Sequence, residues 1–333
     1  MKAILQDAFG GPEVLHLGDA ATPAAAPGSV LIRLGATSVN RPDVVQRQGN
    51  YPPPPGESLV LGLDAAGTIE EVGAGVADFA RGERVLALLG GGGYAELAVA
   101  HAGHVLRIPE ALSVEQAACV PETYLTAYMN VFGNARLADG ETVLLHGGGG
   151  GVTTAAMQLC KVLAPRARVL VTASTGKVER VAALGAELGV DCKVIDYKRE
   201  EFAEAVLRLT DKRGADVILD HIGGAYLAQN LKALGIGGRL ALIGVMGGRK
   251  AEIDLGRVLV GRITLVGSVL RPRPVDEKTA LIRRFEREVL PHFAAGRIAP
   301  LIHRVYPLAQ AAEAHRAMEA GEHFGKLVLK VAS

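Results

Sequence analysis

The spacing of apolar residues is most informative between Glu141 and Val162. There a short apolar run, five consecutive glycines and a segment of small residues follow one another. Thr142–His146 has β-branched and aliphatic residues at strand length. The residues that recur at helical spacing after the glycines are Val152, Ala156, Leu159 and Leu163. The pattern therefore predicts a strand, a tight glycine turn and a helix.

Downstream of this stretch, apolar runs of strand length alternate with segments of helical periodicity. The runs predicted as buried strands are Arg168–Thr172, Lys193–Asp196, Asp216–Asp220, Arg239–Ile243 and Ile263–Val266. The segments predicted as helices are Lys177–Leu188, Glu200–Asp211, Ala225–Leu234 and Leu255–Val260. This alternation predicts an α/β fold with a doubly wound, mostly parallel sheet and right-handed crossovers. Such sheets bind ligands at the carboxyl ends of their strands.

Residues 1–120 show a different pattern, in which short strand-like runs are separated by Pro-Gly or glycine-rich turns. The predicted strands are Val30–Leu34, Leu59–Asp64, Arg84–Leu89, Tyr94–Ala100 and His104–Pro109. Helical periodicity is nearly absent, so this part is predicted to be β-rich and barrel-like. After Pro274, the predicted elements alternate between helix and strand, and they are Asp276–Ala295, Leu301–Tyr306, Leu308–Ala320 and Lys326–Val331.

The chain length of 333 residues allows for about two domains. We expect the C-terminal tail to return to the β-rich part. The predicted domains are therefore residues 1–121 with 290–333, which form the β-rich domain, and residues 122–289, which form the sheet domain.

The glycine turn, Gly147–Gly151, predicts a dinucleotide site. Glycine permits a sharp turn and a close approach of backbone N–H groups to a pyrophosphate, which a helix N-terminus also attracts. None of the registers of G-x-G-x-x-G is completed, because the closing position falls on Val152, Thr153 or Thr154. A residue larger than glycine there could shift the helix outward or move the phosphates. The alternative is a flexible glycine linker.

Composition excludes several other classes of partner. The net charge of +1, with 49% apolar and 21% charged residues, is ordinary for a soluble globular protein. It predicts neither nucleic acid nor an anionic membrane as a partner. We expect no signal peptide and no membrane span. Cys119, Cys160 and Cys192 lie too far apart to indicate a disulfide framework or a cysteine-rich zinc site, so a cytoplasmic location is expected.

A proline-rich stretch, Asn40–Pro55, has four prolines directly after Tyr51. A stiff polyproline segment could fix this one aromatic side chain at a cleft with little loss of entropy. The alternative is a solvent loop that carries an incidental tyrosine, and spacing alone does not decide between the two.

Several motifs, in this order, resemble those of the zinc-independent quinone oxidoreductases of the medium-chain dehydrogenase/reductase superfamily. The resemblance covers nearly the whole chain and is carried by NRPDVVQRQGNYPPPPG, GLDAAGTIEEVG, ALLGGGGYAE, PETYLTAY, VLLHGGGGGV, ILDHIGGAY, LIGVMGG, EVLPHF and EAHRAMEAGEHFGKLVL. It implies a GroES-like β-rich domain, a Rossmann sheet domain and hydride transfer in the cleft between them. It also implies a homodimer in which Ile263–Val269 pairs with a second copy.

The resemblance also assigns candidate site residues. Tyr51 and Asn40 would line the substrate side, with the Tyr51 hydroxyl donating a hydrogen bond to the substrate oxygen and helping to deliver a proton. The residues implied for cofactor binding are Asn40, Thr126, Gly148, Gly149, Gly150, Gly151, Val152, Ser174, Lys177, Tyr197, Gly244, Val245, Met246, Gly247, Val269, Leu270, Arg271 and Lys326.

The end of the second strand predicts NADPH rather than NADH. NAD-specific sheets place a carboxylate about 20 residues after the glycine loop, but Thr172–Lys177 contains none. Small polar residues leave room for a 2′-phosphate, Lys177 supplies a positive charge, and the resemblance adds Tyr197. Together they predict a preference for NADPH on the order of 100-fold or more. The alternative for Lys177 is a solvated lysine in a first helical turn.

Two departures from related sequences have chemical consequences. Zinc-dependent relatives carry G-H-E where this chain has Gly62, Leu63 and Asp64, and they place a cysteine ligand near Arg41, so we predict no metal. His315 lies on an apolar face and is predicted to be a core residue. In the glycine loop, Thr153 stands at the family's last glycine and Gly150 at a frequent serine, and these changes bear on cofactor affinity.

The predicted function is an NADPH-dependent quinone oxidoreductase. A quinone is already electron-poor, so hydride transfer requires mainly positioning against the nicotinamide. Two alternatives remain open. One is NADPH-dependent reduction of an activated carbon–carbon double bond in an enal or enone, and the other is a non-catalytic NADPH-binding regulatory protein.

Overall fold

The computed structural model describes residues 1–331; Ala332 and Ser333, which end the first predicted domain, lie outside the described residues. The contacts divide the chain into two compact units. One contains Met1–Leu125 and the described residues from Leu270 onward, and the other is Thr126–Val269. The domain boundaries predicted after residues 121 and 289 stay a prediction. Among residues 1–331, no helix is both long and apolar enough to cross a membrane.

The N-terminal part of the chain is rich in strands, as predicted. Its strands are β1 (Lys2–Gln6), β2 (Leu15–Asp19), β3 (Ser29–Ser38), β4 (Asp64–Val72), β5 (Arg84–Leu88), β6 (Leu97–His101) and β7 (Val105–Arg107). Its helices are α1 (Arg41–Arg47), α2 (Val114–Ala117) and α3 (Pro121–Ala127). A π-helical segment, Tyr128–Asn134, follows α3 directly.

The unit Thr126–Val269 contains the parallel sheet. Its strands are β8 (Thr142–Leu145), β9 (Arg168–Ala173), β10 (Asp191–Asp196), β11 (Ala215–Asp220), β12 (Leu234–Leu242) and β13 (Thr264–Gly267). The helices between them are α4 (Gly151–Leu163), α5 (Val178–Leu188), α6 (Phe202–Leu209), α7 (Leu227–Ala233) and α8 (Leu255–Gly261). The strand order is β10-β9-β8-β11-β12-β13, and every neighbouring pair is parallel. This is the Rossmann order, so the predicted doubly wound sheet is confirmed.

The C-terminal part adds its strands to the β-rich unit. Its elements are α9 (Val275–Glu288), α10 (Leu290–Ala294), β14 (Ile302–Pro307), α11 (Ala311–Ala320) and β15 (Lys326–Lys330). The strand β15 pairs with β14 in parallel and with β3 in antiparallel orientation. The resulting sheet has the order β14-β15-β3-β4-β5-β7, with β6 also paired to β3.

Each unit has its own apolar core. In the parallel sheet, four register-paired side chains from adjacent strands are fully buried, and they are Leu170, Leu144, Ile218 and Leu240. Helices cover both faces of such a sheet, which explains why its strands are continuous apolar runs. Each such side chain contributes about 1.5–3 kcal/mol on burial.

The predicted single helix Asp276–Ala295 is wrong. The chain forms α9 and α10 with a break at Val289, which has φ −117° and ψ −42°. Pro291 lies in the first turn of α10. Proline has no N–H to donate to the preceding turn and its ring clashes there, so a continuous helix would be interrupted at this point.

One prediction in the N-terminal part is also wrong. Residues 59–63 are not a strand, because β4 begins only at Asp64. Gly62 has a positive φ of 103°, which takes the backbone out of the extended region. Although helical periodicity is nearly absent from this part of the sequence, it contains α1, which begins after Asn40 and has Pro42 in its first turn. The Asp43 carboxylate accepts the Asn40 backbone N–H at 2.8 Å, a capping-box contact that stabilises this start.

Candidate cofactor and substrate sites

The glycine loop joins β8 to α4 at the carboxyl edge of the parallel sheet. Gly147 and Gly149 have positive φ angles of 72° and 88°, which glycine adopts without strain. A Cβ atom at Gly148 would lie 3.0 Å from carbon atoms of three side chains. The helix α4 begins at Gly151 after a glycine N-cap, so its first-turn N–H groups have no side-chain cap. A close-packed backbone turn that leads into such a helix fits a pyrophosphate.

Thr153, which replaces the expected last glycine, is buried in the first turn of α4. Its side chain is 1% exposed, and its hydroxyl donates a hydrogen bond of 2.6 Å to the carbonyl oxygen of His146 at the end of β8. The larger residue is therefore accommodated by a bond that ties the helix to the strand.

We expect Thr153→Val to loosen this connection, because valine has the same shape but cannot donate to the His146 oxygen. Leaving a buried acceptor unpaired costs about 1–3 kcal/mol, which lowers the melting temperature, and the displaced loop weakens NADPH binding. Thr153→Ser keeps the hydroxyl and is the matched control. Thermal unfolding and NADPH titration check both effects, and a valine variant indistinguishable from the serine variant contradicts the role of the bond.

The His146 side chain, at the end of β8, bonds to β9 and to α7, and α7 in turn bonds to the end of β11. It is 1% exposed, with Nδ1 2.9 Å from Thr172 Oγ1 and Nε2 2.8 Å from Asn230 Oδ1. Asn230 Nδ2 in turn donates to Asp220 Oδ2 at 3.0 Å. Burial lowers the pKa of His146 to about 3, so the imidazole is neutral. Because Asn230 Nδ2 donates to Asp220, Asn230 Oδ1 faces His146 and accepts the hydrogen bond from its Nε2–H. This network supports the backbone beneath the glycine loop. The sequence indicated it only through His146, a polar residue at the end of an apolar run.

Ser174, Lys177 and Tyr197 lie just beyond the carboxyl ends of two paired strands. The last residues of β9 and β10, Ala173 and Asp196, are register partners. The Tyr197 backbone N–H donates to Ala173 O at 3.2 Å, and the Lys177 N–H donates to Ser174 O at 2.8 Å. All three predicted residues are half-buried. The structure thus places the three residues at the ends of these two paired strands.

The predicted segment Gly244–Gly247 follows β12 and pairs with the loop after β11. Met246 N–H donates to His221 O at 3.1 Å, and Gly247 N–H donates to Ile222 O. Val245 and Met246 are 44% and 55% exposed. The segment therefore presents apolar side chains at the same carboxyl edge as the glycine loop.

The remaining residues predicted in this unit are Thr126 and Val269. Thr126 is buried, and its carbonyl oxygen accepts a 2.8 Å hydrogen bond from Asn130 Nδ2. Val269 is 52% exposed and follows β13.

In the other unit, the side chains of Asn40 and Lys326 are brought together in a buried site. Lys326 Nζ donates to Asn40 Oδ1 and, at 3.2 Å, to Val39 O. Asn40 Nδ2 donates to Asp64 Oδ2 at 2.7 Å. The amide of Asn40 is thus held on its oxygen side by a cation and on its nitrogen side by a carboxylate. This arrangement fixes which way the amide points.

Asp64 is the centre of this site, although the sequence indicated it only as the residue at the glutamate position of the G-H-E motif. It is fully buried and accepts hydrogen bonds from Ser38 Oγ and Asn40 Nδ2 at one oxygen and from Glu122 N–H, at 2.7 Å, at the other. Lys326 Nζ lies 3.9 Å from Oδ2. Asp64 therefore both balances the lysine charge and orients Asn40.

A second buried chain of hydrogen bonds supports α1. Asp43 accepts from Gly62 N–H and from the Tyr94 hydroxyl, both at 3.2 Å. Tyr94 OH lies 3.0 Å from His315 Nε2, and His315 Nδ1 lies 3.2 Å from Arg47 Nη1. Burial raises the pKa of Asp43 to about 7, and burial with the nearby Arg47 lowers the pKa of His315 to about 3. His315 is fully buried, so its prediction as a core residue is confirmed.

Tyr51 is half-buried and lies beneath the guanidinium group of Arg271. The Arg271 Cζ atom is 5.4 Å from the centre of the ring, and Arg271 Nε donates to Gly90 O at 2.7 Å. Burial raises the pKa of Tyr51, which keeps its hydroxyl protonated at neutral pH. The adjacent Leu270 is buried. These contacts favour a fixed aromatic at a site over an incidental tyrosine in solvent.

The side chains at the family's zinc position do not fit a zinc ion. The Asp64 oxygens accept hydrogen bonds from three donors. Arg41, at the position of the expected cysteine ligand, is a cation that donates to Met318 O at 3.1 Å. No group of three or more metal-ligating side chains is present within residues 1–331. Cys119 and Cys160 are buried thiols whose pKa values burial raises to about 12.

Comparison with known proteins places this arrangement in a family. Residues 26–110 match the alcohol dehydrogenase GroES-like domain, and residues 188–329 match a family described as zinc-binding dehydrogenase. The chain is 32% identical to rat quinone oxidoreductase over 332 residues, which covers 99% of this chain and 97% of the rat protein.

Two solved structures extend the similarity to the fold. Escherichia coli quinone oxidoreductase complexed with NADPH has a TM-score of 0.87 and 26% identity, covering 99% of this chain and 100% of that one. The CurK enoyl reductase has a TM-score of 0.86 and 26% identity, with 99% of both chains covered. The chain therefore belongs to the medium-chain dehydrogenase/reductase superfamily of oxidoreductases, with quinone oxidoreductases among its full-length relatives.

Proposed function

We propose that the protein is an NADPH-dependent, zinc-independent quinone oxidoreductase. The observation that carries this proposal is the glycine loop with the uncapped N-terminus of α4. Beside it, the segment that follows β9 contains Lys177 and no carboxylate. The full-length similarity to rat quinone oxidoreductase supports the substrate class, and the E. coli enzyme, described as complexed with NADPH, supports the cofactor.

The cofactor phosphates are assigned to residues of the parallel-sheet unit. Gly148–Val152 would hold the pyrophosphate, and Ser174, Lys177 and Tyr197 the 2′-phosphate. The residues proposed for the nicotinamide end and for the segments closing over the cofactor are Asn40, Thr126, Gly244, Val245, Met246, Gly247, Val269, Leu270 and Lys326, together with the backbone of Arg271. When bound, NADPH supplies the hydride. The amide of Asn40, held by Lys326 and Asp64, would hydrogen-bond the cofactor in one fixed orientation.

The substrate class follows from what the side chains can supply. A simple ketone or aldehyde benefits from a Lewis acid that polarises its carbonyl group. A quinone is already electron-poor, so hydrogen-bond donors and correct positioning suffice. Tyr51, with its raised pKa, is a donor and not a base.

The direct test is a titration of the purified protein with NADPH and NADH, followed by nicotinamide fluorescence. 1,2-Naphthoquinone is then added to the tighter complex, and cofactor oxidation is recorded. Tight NADPH binding with oxidation is expected. Binding without turnover of any of several quinones and enones contradicts the enzyme and favours an NADPH-binding regulatory protein.

A second candidate is reduction of the double bond of an enal or enone. It is favoured by the similarity to the CurK enoyl reductase. The hydride again goes to an electron-poor conjugated carbon. Product analysis separates the two activities, because a quinone gives a hydroquinone or semiquinone whereas an enone gives a saturated carbonyl compound.

We expect Tyr51→Phe to lower kcat for quinone reduction by about 10-fold or more, the scale of one hydrogen bond to a charged oxygen. Phenylalanine keeps the ring beneath Arg271 but cannot donate to the substrate oxygen. NADPH affinity should stay unchanged, which fluorescence titration checks. Unchanged turnover would remove the proposed role of the hydroxyl.

We also propose a homodimer. The strand β13 lies at the edge of the parallel sheet and has only β12 as a neighbour among the described strands. Beside it, Leu259, Val260 and Leu265 are 78%, 77% and 40% exposed. A second copy would cover these side chains if Ile263–Val269 paired across subunits. Sedimentation analysis tests the proposal, and a monomer at assay concentrations contradicts it.

A further inference from the structure

We propose that the terminal N–H groups of Arg271 bind the substrate oxygen that becomes negatively charged on reduction, beside Tyr51. The inference rests on the proposed function and assigns Arg271 to the substrate, whereas the family resemblance implies a cofactor contact.

The guanidinium group of Arg271 is buried, and only part of it is hydrogen-bonded. Arg271 is 5% exposed, and its Nε donates to Gly90 O at 2.7 Å. Nη1 and Nη2 are buried without a hydrogen-bond partner in the described part of the chain. Buried donors in native proteins are almost always paired, with protein groups, ordered water or a bound ion. Up to four N–H groups of the Arg271 side chain are therefore available to donate hydrogen bonds to a ligand.

The surroundings of the Arg271 guanidinium group suit a negatively charged ligand. Tyr51 lies beneath the guanidinium group, and its hydroxyl is the predicted donor to the substrate oxygen. Lys278, which is 5% exposed, places Nζ 3.4 Å from Arg271 O. The negative charges that act on Arg271 come from Asp43 and Glu57, but burial outweighs them and lowers its pKa. A ligand that brings negative charge to this position would be stabilised by both cations.

Reduction creates a negative charge on the substrate oxygen. A quinone that accepts a hydride at a ring carbon conjugated with a carbonyl group forms a C–H bond there, and the C=O π pair moves onto the carbonyl oxygen, which becomes an enolate. Transfer of a proton from that ring carbon to the second carbonyl oxygen restores the aromatic ring and leaves the first oxygen as a phenolate, and one proton from Tyr51 or solvent completes the hydroquinone. A planar fork of N–H donors binds such an oxygen more tightly than the carbonyl oxygen of the quinone, and this difference lowers the barrier.

The same donors could instead bind a phosphate oxygen of the cofactor. Both ligands present an anionic oxygen, and the experiment therefore measures the two affinities separately. The probe for the substrate side is 4-nitrophenolate in the presence of NADP⁺, because its coloured, charged oxygen imitates the reduced quinone and its absorption shifts on hydrogen bonding.

The test compares Arg271→Met and Arg271→Lys with Arg273→Met. Arg273 is the matched control, since it lies two residues away and pairs with Glu277 at 3.0 Å on a partly exposed surface. For Arg271→Met we expect kcat with 1,2-naphthoquinone to fall about 100-fold and 4-nitrophenolate affinity to fall at least about 10-fold. NADPH affinity and the melting temperature should equal those of the control. Arg271→Lys, which keeps the charge without the fork, should be intermediate.

Several results would overturn the inference. They are a loss of NADPH affinity with retained 4-nitrophenolate binding, a wild-type protein that does not bind the probe, and a melting temperature far below that of the Arg273 variant. If the wild type binds 4-nitrophenolate through Arg271 but oxidises no NADPH with quinones, the anion site at Arg271 is supported and the proposed function fails.

Discussion

Replacing Lys177 with alanine is expected to weaken NADPH binding about 10- to 100-fold, the scale of one charge-assisted hydrogen bond. NADH lacks the 2′-phosphate, so its affinity should not change. Lys177 ends the short turn Thr175–Lys177 directly after β9 and stands at the N-cap of α5. Ser174 and Tyr197 lie at the same strand ends. These groups, with the partial positive charge of the helix N-terminus, should keep some preference for NADPH in the variant.

The matched control is Lys161→Ala. Lys161 lies in the last turn of α4, at the opposite end of that helix from the glycine loop, about 15 Å away along the axis. Removing its charge should leave both affinities unchanged. Fluorescence titrations with NADPH and NADH give the ratio for each variant. A Lys177 variant with the wild-type ratio would identify this lysine as a solvated first-turn residue.

The parallel sheet could be predicted because its signal is local. Each strand is a continuous apolar run, since helices cover both faces, and each crossover helix has its own periodicity. The glycine loop required close approach at Gly148 and a positive φ at Gly149, and glycine is the residue that permits both. Ser174, Lys177 and Tyr197 could be predicted to lie together, because neighbouring parallel strands end at the same edge of the sheet.

The buried polar site could not be predicted in this way. Asn40, Asp64 and Lys326 belong to three elements far apart in the sequence, and no local pattern relates them before the sheet forms. The resemblance supplied Asn40 and Lys326 but indicated Asp64 only as a departure from a metal site. The helix α1 had a readable signal, Asn-x-x-Asp with a proline in the first turn, but its apolar face is short.

The buried carboxylate of Asp64 leads to the strongest stability prediction. We expect Asp64→Asn to lower the free energy of unfolding by about 3–5 kcal/mol, because one partner of a buried ion pair is removed while Lys326 stays buried. Asparagine cannot replace the carboxylate, since an NH2 group at either oxygen position would face the Glu122 N–H or the Asn40 amide. The apparent melting temperature should fall by about 6–20 °C.

The Asp64→Asn variant should also impair the binding of NADPH by Asn40. This second effect distinguishes a carboxylate that orients Asn40 from one that is only buried. Without the Asp64 carboxylate, Asn40 Nδ2 keeps only its 3.3 Å hydrogen bond to Ser38 O, and the amide oxygen keeps its bond from Lys326, so NADPH affinity should fall together with stability. Asp139→Asn is the control, since Asp139 pairs with Arg166 at 2.7 Å on the surface, where such pairs contribute little. Thermal unfolding and NADPH titration of both variants measure the two effects. A stable Asp64 variant with wild-type affinity would show that neither the charge of Lys326 nor the orientation of Asn40 depends on this carboxylate.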